Sequence, residues 1–125
     1  MNLTIDMPWQ KDLSVNHCRM GPKGNWRLKD HVQAWMDMLA WKIKIDLMQT
    51  AQHMMWLPGD SPINVVVDFR YPNDQKRDDH NTYKILCDAV AAGLGIDDKH
   101  IRISTGTIEI DRDNPGFMIT VEDSK

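Results

Sequence analysis

No run of about 18 apolar residues occurs in the chain, so a membrane span is not expected. A secretory leader is missing too. Met1 to Trp9 carry Asp6 and lack a basic region followed by an apolar one. Cysteine is scarce. Cys18 and Cys87 stand far apart without paired spacing, which argues against both a disulfide scaffold and a zinc knuckle. These absences together predict a cytoplasmic protein. An excess of positive charge is also lacking, since the formal charge is −3. That excludes a simple electrostatic DNA clamp, because most nucleic-acid-binding domains are basic overall.

The total conceals an uneven split. Residues 1–56 hold seven Lys/Arg and five Asp/Glu, whereas residues 57–125 hold eight and thirteen. A carboxylate-rich site beside a basic surface is compatible with that division, and a bound cation would alter the local field. The 125 residues, 42% apolar and 26% charged, suit one compact domain spanning 1–125. Five Trp and nine Met argue against disorder.

The hydrophobic pattern orders the chain. Leu3, Ile5 and Met7 alternate with polar neighbours up to Pro8 and predict a strand. Residues 9–25, rich in turn formers such as Ser14, Asn16, Gly21, Pro22 and Gly24, read as irregular. A long helix is expected from Asp30, a plausible N-cap. Val32, Trp35, Met36, Leu39, Ile43, Leu47 and Met54 form its apolar stripe, and Pro58-Gly59 stops it. That stripe reads as core, with part available for a dimer face.

Ile63, Val65, Val67, Phe69 and Tyr71 predict a second strand, ended by Pro72-Asn73-Asp74. A helix over about 81–92 buries Tyr83, Leu86, Val90 and Leu94, and Gly93 and Gly95 end it. Ile101 and Ile103 begin a short strand. Thr107 to Ile110 and Phe117 to Val121 predict two more, joined by the Asp113-Asn114-Pro115-Gly116 turn. The expected class is α+β, with a mixed or antiparallel sheet packed against two main helices.

The densest polar stretch, Arg77-Asp78-Asp79-His80-Asn81, falls between a strand and a helix. Lys84 follows, and Asp97-Asp98 comes after the helix. Neighbouring carboxylates repel one another unless protonated or bound to a cation. A hard divalent ion with oxygen ligands would relieve that repulsion, polarise a phosphodiester and activate a water. Lys84 sits where a helix disfavours a cation, which suggests a phosphate contact. The bland alternative stays open on spacing alone. In it, Asp78, Asp79 and Asn81 cap the helix, Lys84 and Asp88 form an exposed i,i+4 pair, and Asp97-Asp98 is a solvated turn.

The whole series, with Asp88-Ala89-Val90 between Lys84 and Asp97-Asp98, resembles the signature of the RusA family of Holliday junction resolvases. That signature runs Arg-Asp-x-Asp-Asn, Lys, Asp-Ala-Leu, Asp-Asp. Pro8, Ser14 and Asn16 are similar to its N-terminal segment, and Phe117 to Glu122 to its last strand. The resemblance implies a homodimeric, magnesium-dependent endonuclease acting on branched DNA.

By position, it also implies metal-binding carboxylates at Asp78 and Asp98 and a catalytic lysine at Lys84, with Asp97 a nearby acidic candidate. Asn81 would hold the loop or orient a ligand. Arg77 would meet a phosphate or stabilise the acidic loop. His80 stands where the signature has a second Asp. An imidazole can still ligate, so His80 is expected to be a metal ligand and to shift preference from Mg²⁺ toward Mn²⁺. The alternatives are a general base, a residue supporting the ligands, or lost catalysis.

Lys11, Arg19, Lys23, Arg27 and Lys29 form the expected DNA-facing surface. Trp26 is a candidate for stacking on an opened base, beside a core or dimer role. His31 and His53 are expected to be structural or exposed. His17 is a solvated-loop or DNA-contacting residue, and His100 a solvated residue or a support to the ligands.

Overall fold

The computed structural model describes residues 2–22, 26–49 and 62–123. Lys23, Gly24, His53, Met54 and Pro58-Gly59 lie outside them. Strand β1 (Asn2–Pro8) alternates exposed and buried side chains, as its sequence predicts. Two two-residue strands pair antiparallel: β2 (Arg19–Met20), inside the stretch 9–25 read as irregular, and β3 (Arg27–Leu28), just beyond it. Such a short pair has no hydrophobic period to betray it.

Helix α1 (Asp30–Gln49) buries Val32, Trp35, Met36, Leu39, Ala40, Ile43 and Leu47. Asp30 belongs to its first turn, where the carboxylate accepts from Arg27 Nη1 at 3.0 Å. Strand β4 (Ile63–Tyr71) follows, then a short 3₁₀ helix (Asp79–Thr82) leading into helix α2 (Tyr83–Leu94). A second 3₁₀ turn (Asp98–His100) precedes strands β5 (Ile101–Ile110) and β6 (Gly116–Asp123).

The four long strands form a mixed sheet in the order β1-β6-β4-β5. Strand β4 pairs parallel with β5 and antiparallel with β6, and β6 pairs antiparallel with β1. The α+β class is thus as expected. The register places Leu3, Val121 and Val65 in one row, Ile5, Ile119 and Val67 in the next, and Met7, Phe117 and Phe69 in a third. All nine are buried, and α1 and α2 complete the core. Aromatic edges add to the third row: Trp9 stacks on Phe117 at 5.4 Å, and Trp35 meets Phe117 edge-on.

Two predicted short strands are one. β5 runs unbroken from Ile101 to Ile110, with an irregularity opposite Val67–Phe69. One residue of β4, Asp68, there faces two of β5, Gly106 and Thr107, the signature of a bulge. Asp68 Oδ1 fills it by accepting from Thr107 N at 2.8 Å and Thr107 Oγ1 at 3.2 Å. Gly106 leaves room for this carboxylate, because a Cβ there would collide with Asp68 Oδ1 and displace it from Thr107. β5 and β6 are joined by the predicted turn but are not partners, since β4 lies between them.

Gly93 does not end its helix. It lies buried inside α2, where a Cβ would be 2.9 Å from Ile43 Cβ and 3.0 Å from Ala40 O. The helix ends instead at Gly95, in the left-handed region at φ 71°, where glycine is favoured. Gly93 therefore sets how closely α1 and α2 approach. Gly→Ala ordinarily stabilises a helix by roughly 0.5–1 kcal/mol. Overpacking reverses the sign here: Gly93→Ala should destabilise by about 1–3 kcal/mol in urea unfolding.

Candidate active site

The acidic motif occupies the passage from the end of β4 to the start of α2. Arg77 anchors its first half. The guanidinium lies 5.1 Å from the Trp9 ring centre and 4.9 Å from that of Tyr71. It donates to Asn73 O, Asn73 Oδ1 and Gln75 O at 2.9–3.2 Å. Of the two roles the sequence left open for Arg77, these contacts are the loop-stabilising kind.

Asp78 is extended and caps the 3₁₀ turn, its Oδ1 accepting from His80 N at 3.0 Å. Asp79 turns the other way. Its carboxylate is largely buried and accepts from Thr105 Oγ1 on β5, whose hydroxyl is in turn met by Tyr83 OH at 2.5 Å. His80 is exposed, its ring stacked on Tyr83 at 4.9 Å and its Nε2 3.9 Å from Asp79 Oδ2. Asn81 ties the turn to the N-terminal loop by accepting from Val15 N at 2.9 Å.

Lys84 gathers the other end. Its Nζ is 3.0 Å from Asp88 Oδ1 and 3.0 Å from Asp98 Oδ2. The i,i+4 pair of the bland reading therefore exists, and it is extended to a residue on the far side of α2. The hydrogen bonds to Asp88 and Asp98 push the Lys84 ammonium pKa upward. The hydrogen bond from Lys84, followed by one from Asp97, holds the Asp98 carboxyl below the usual range. Asp97 caps the second 3₁₀ turn by accepting from Lys99 N at 3.0 Å. Burial, aided by Asp88 and Asp98, pushes the Cys87 thiol up to about 11, which leaves it a poor nucleophile.

The expected ligands are therefore arranged in two parts. Asp78 and His80 share the first turn, and Asp98 is drawn to Lys84. Among the described residues, no group of three or more His, Cys, Asp or Glu side chains is set to enclose a metal ion. Hard carboxylate oxygens on exposed turns still suit Mg²⁺, which binds through one or two carboxylates, waters and substrate phosphate rather than a closed protein cage.

Arg19, Arg27 and Trp26 are exposed on and beside the β2–β3 pair. Lys29 is drawn inward and lies 3.5 Å from Asp12, which also meets His31 Nε2 at 2.8 Å. Burial opposes ionisation of Asp12, but His31 and Lys29 outweigh it and lower its pKa. His31 is structural, as expected. His17 lies in an exposed loop and His100 in the second 3₁₀ turn.

The inward Asp79–Thr105–Tyr83 chain was not foreseen. Its only sequence signal, the alternation of directions along Asp78-Asp79-His80, needs a sheet to point at.

With this geometry in place, the comparison with protein families is decisive. The model of endodeoxyribonuclease RusA matches residues 19–122. The chain belongs to the RusA family. Membership implies an endonuclease for Holliday junctions. The match covers the whole acidic motif, Lys84 and Asp97-Asp98, but begins after Pro8, Ser14 and Asn16. No curated protein matches the chain. Among the described residues, no helix is long and apolar enough to cross a membrane.

The Lys84–Asp98 pair predicts a pH response. A carboxyl with a depressed folded pKa stabilises the fold above its unfolded value, and that contribution is lost as pH falls through the depressed one. In Lys84→Met the Asp98 carboxyl should titrate at higher pH than in the wild type. Carbon-13 NMR titration of the side chain measures the shift.

Proposed function

We propose that this RusA-family chain is a divalent-metal-dependent endodeoxyribonuclease that resolves four-way DNA junctions as a homodimer. The observation that carries the reading is the Lys84 ammonium held between Asp88 and Asp98, in a chain whose family motif is otherwise present. An isolated surface lysine would not need two carboxylates. A lysine destined for a phosphate needs its position set in advance.

Asp78 and Asp98 would hold Mg²⁺ or Mn²⁺ through carboxylate oxygens, with His80 as a third donor. When bound, the metal supplies an activated water and polarises the scissile phosphodiester. Lys84 stabilises the charge that develops on the pentacoordinate phosphate or the leaving oxygen. Arg77 keeps the loop before Asp78 in one conformation, and Asp88 and Asp98 hold the ammonium of Lys84 in place. Two opposed cuts in one junction require two equivalent sites, which a symmetric dimer supplies. Arg19, Arg27 and, by sequence position, Lys23 would add contacts to the DNA backbone, making affinity fall with salt.

A second reading, a junction-binding protein that does not cut, is favoured by His80 in place of a carboxylate and by the divided ligand set. One assay separates the two. A labelled four-way junction and a linear duplex are incubated with the protein in Mg²⁺ or Mn²⁺. The nuclease reading expects junction cleavage in at least one metal, and Asp78→Asn should still bind junctions while cleavage falls by about 10²-fold or more. Binding without cutting in both metals would establish the second reading.

His80 generates a further expectation. His80→Asp restores a hard oxygen donor and should move the preference from Mn²⁺ toward Mg²⁺. Cleavage rates of both proteins in each metal measure it, and an unchanged ratio excludes His80 as a ligand.

A further inference from the structure

A cleft of about 470 Å³ opens beside Asp78, between the loop after β1 and the loop after β4. Trp9, Tyr71 and Phe117 are among its lining residues, and Arg77 lies across the first two as a flat cationic plate. Lys11 and Lys76 also line it, both exposed. Neither forms an ion pair among the described residues, unlike Arg27, Lys29 and Lys84. Asp78 is among its lining residues. The walls are joined by the Val15–Asn81 hydrogen bond and by the contact of Arg77 with the Trp9 ring.

We infer that this cleft is a nucleotide subsite, taking one unstacked nucleotide of the strand that is cut, beside the branch point. The inference rests on the nuclease reading above and names the part of the substrate that the site selects. Three observations carry it. The volume is that of a small-molecule site, so a nucleotide fits and a duplex does not. Lys11 and Lys76 are unpaired cations at a site whose substrate is a polyanion, and two lysines suit the phosphates flanking one nucleotide. The Arg77 guanidinium, a lining residue held by three hydrogen bonds, is a planar cation of the kind on which splayed bases stack. Asn16 and Asn81, also among the lining residues, carry amides able to donate to and accept from a base edge.

The physical consequence is selection by DNA structure. Extracting a base from an intact duplex costs a few kcal/mol, and the cost is least where stacking or pairing is already weakened. The nucleotides at a crossover meet that condition. A cleft that requires an unstacked nucleotide next to Asp78 therefore favours branched over linear DNA without reading shape at a distance.

The test uses a four-way junction with 2-aminopurine at the branch point and a linear duplex with the same base, both without divalent metal. Wild type should bind the junction and raise its fluorescence as the base leaves the stack. Lys11→Ala/Lys76→Ala, which changes only exposed side chains, should weaken junction binding by about tenfold and abolish the rise. Its affinity for the linear duplex should fall less than its affinity for the junction. An unchanged fluorescence rise in the double variant overturns the subsite. So does an equal loss of affinity on junction and duplex, which would mark the lysines as general backbone contacts. If wild type binds the junction with no rise, the subsite alone fails. If it does not bind the junction at all, the nuclease reading fails with it.

Discussion

Asp79 commits its carboxylate inward, and the layout of the active surface follows from that commitment. Thr105 reaches the carboxylate from β5, and Tyr83 reaches Thr105 from α2. One side chain thus fastens the motif turn to the sheet and to the helix that follows it. Successive residues in such a turn point to different sides. With Asp79 facing the protein, Asp78 is left beside the cleft and His80 outside, against the Tyr83 ring. The register of β5 matters for the same reason. Its bulge begins just after Thr105, so Ile101, Ile103 and Thr105 keep the helix-facing side up to the point where Asp79 needs a partner.

The exposed side of α2 that carries Lys84 is governed by charge rather than burial. Lys84, Asp88 and Asp98 are partly exposed, so their mutual attraction adds little to global stability. Its effect is positional. The ammonium neutralises carboxylates that would otherwise repel one another, and it joins the first turn of α2 to the segment after its last. The overall acid excess acquires a location in this way. The −3 of the whole chain is compatible with DNA binding because acidic side chains collect around Lys84 and the motif turn. Among the described residues, Lys11 and Lys76 at the cleft form no ion pair.

Much of this was legible in the sequence where one face of an element is buried and the other is not. β1 and β4 alternate cleanly, and α1 shows its apolar stripe, because burial imposes the period. The acidic motif was legible as a series of residue types. What pairs with what was not. Gly93 looks like a helix stop until α1 is seen against it, since a close approach between helices leaves no local trace. Gly106 interrupts a strand only in sequence, because the residue it accommodates, Asp68, belongs to another strand. The three-residue reach from Arg77 to His80 likewise hides two inward anchors, Arg77 and Asp79, on either side of the outward Asp78.

That division bears on the exchange of a carboxylate for His80. A carboxylate at position 80 would stand near Asp79, whose oxygen is only 3.9 Å from the present imidazole. Two anions at that distance would raise each other's pKa or require a bound cation. A neutral imidazole removes the repulsion and can lie flat on Tyr83, while a protonated one would be attracted to Asp79. The histidine is therefore consistent with its surroundings in a way that its position in the family signature does not reveal. Asp79 already supplies local negative charge, but spends it on Thr105 rather than on the solvent side. If Asp78, His80 and Asp98 hold the metal as proposed, they bring fewer charges than two motif carboxylates and Asp98 would give. A site of that kind would depend more heavily on substrate phosphate to complete it, and would couple metal binding to the arrival of DNA.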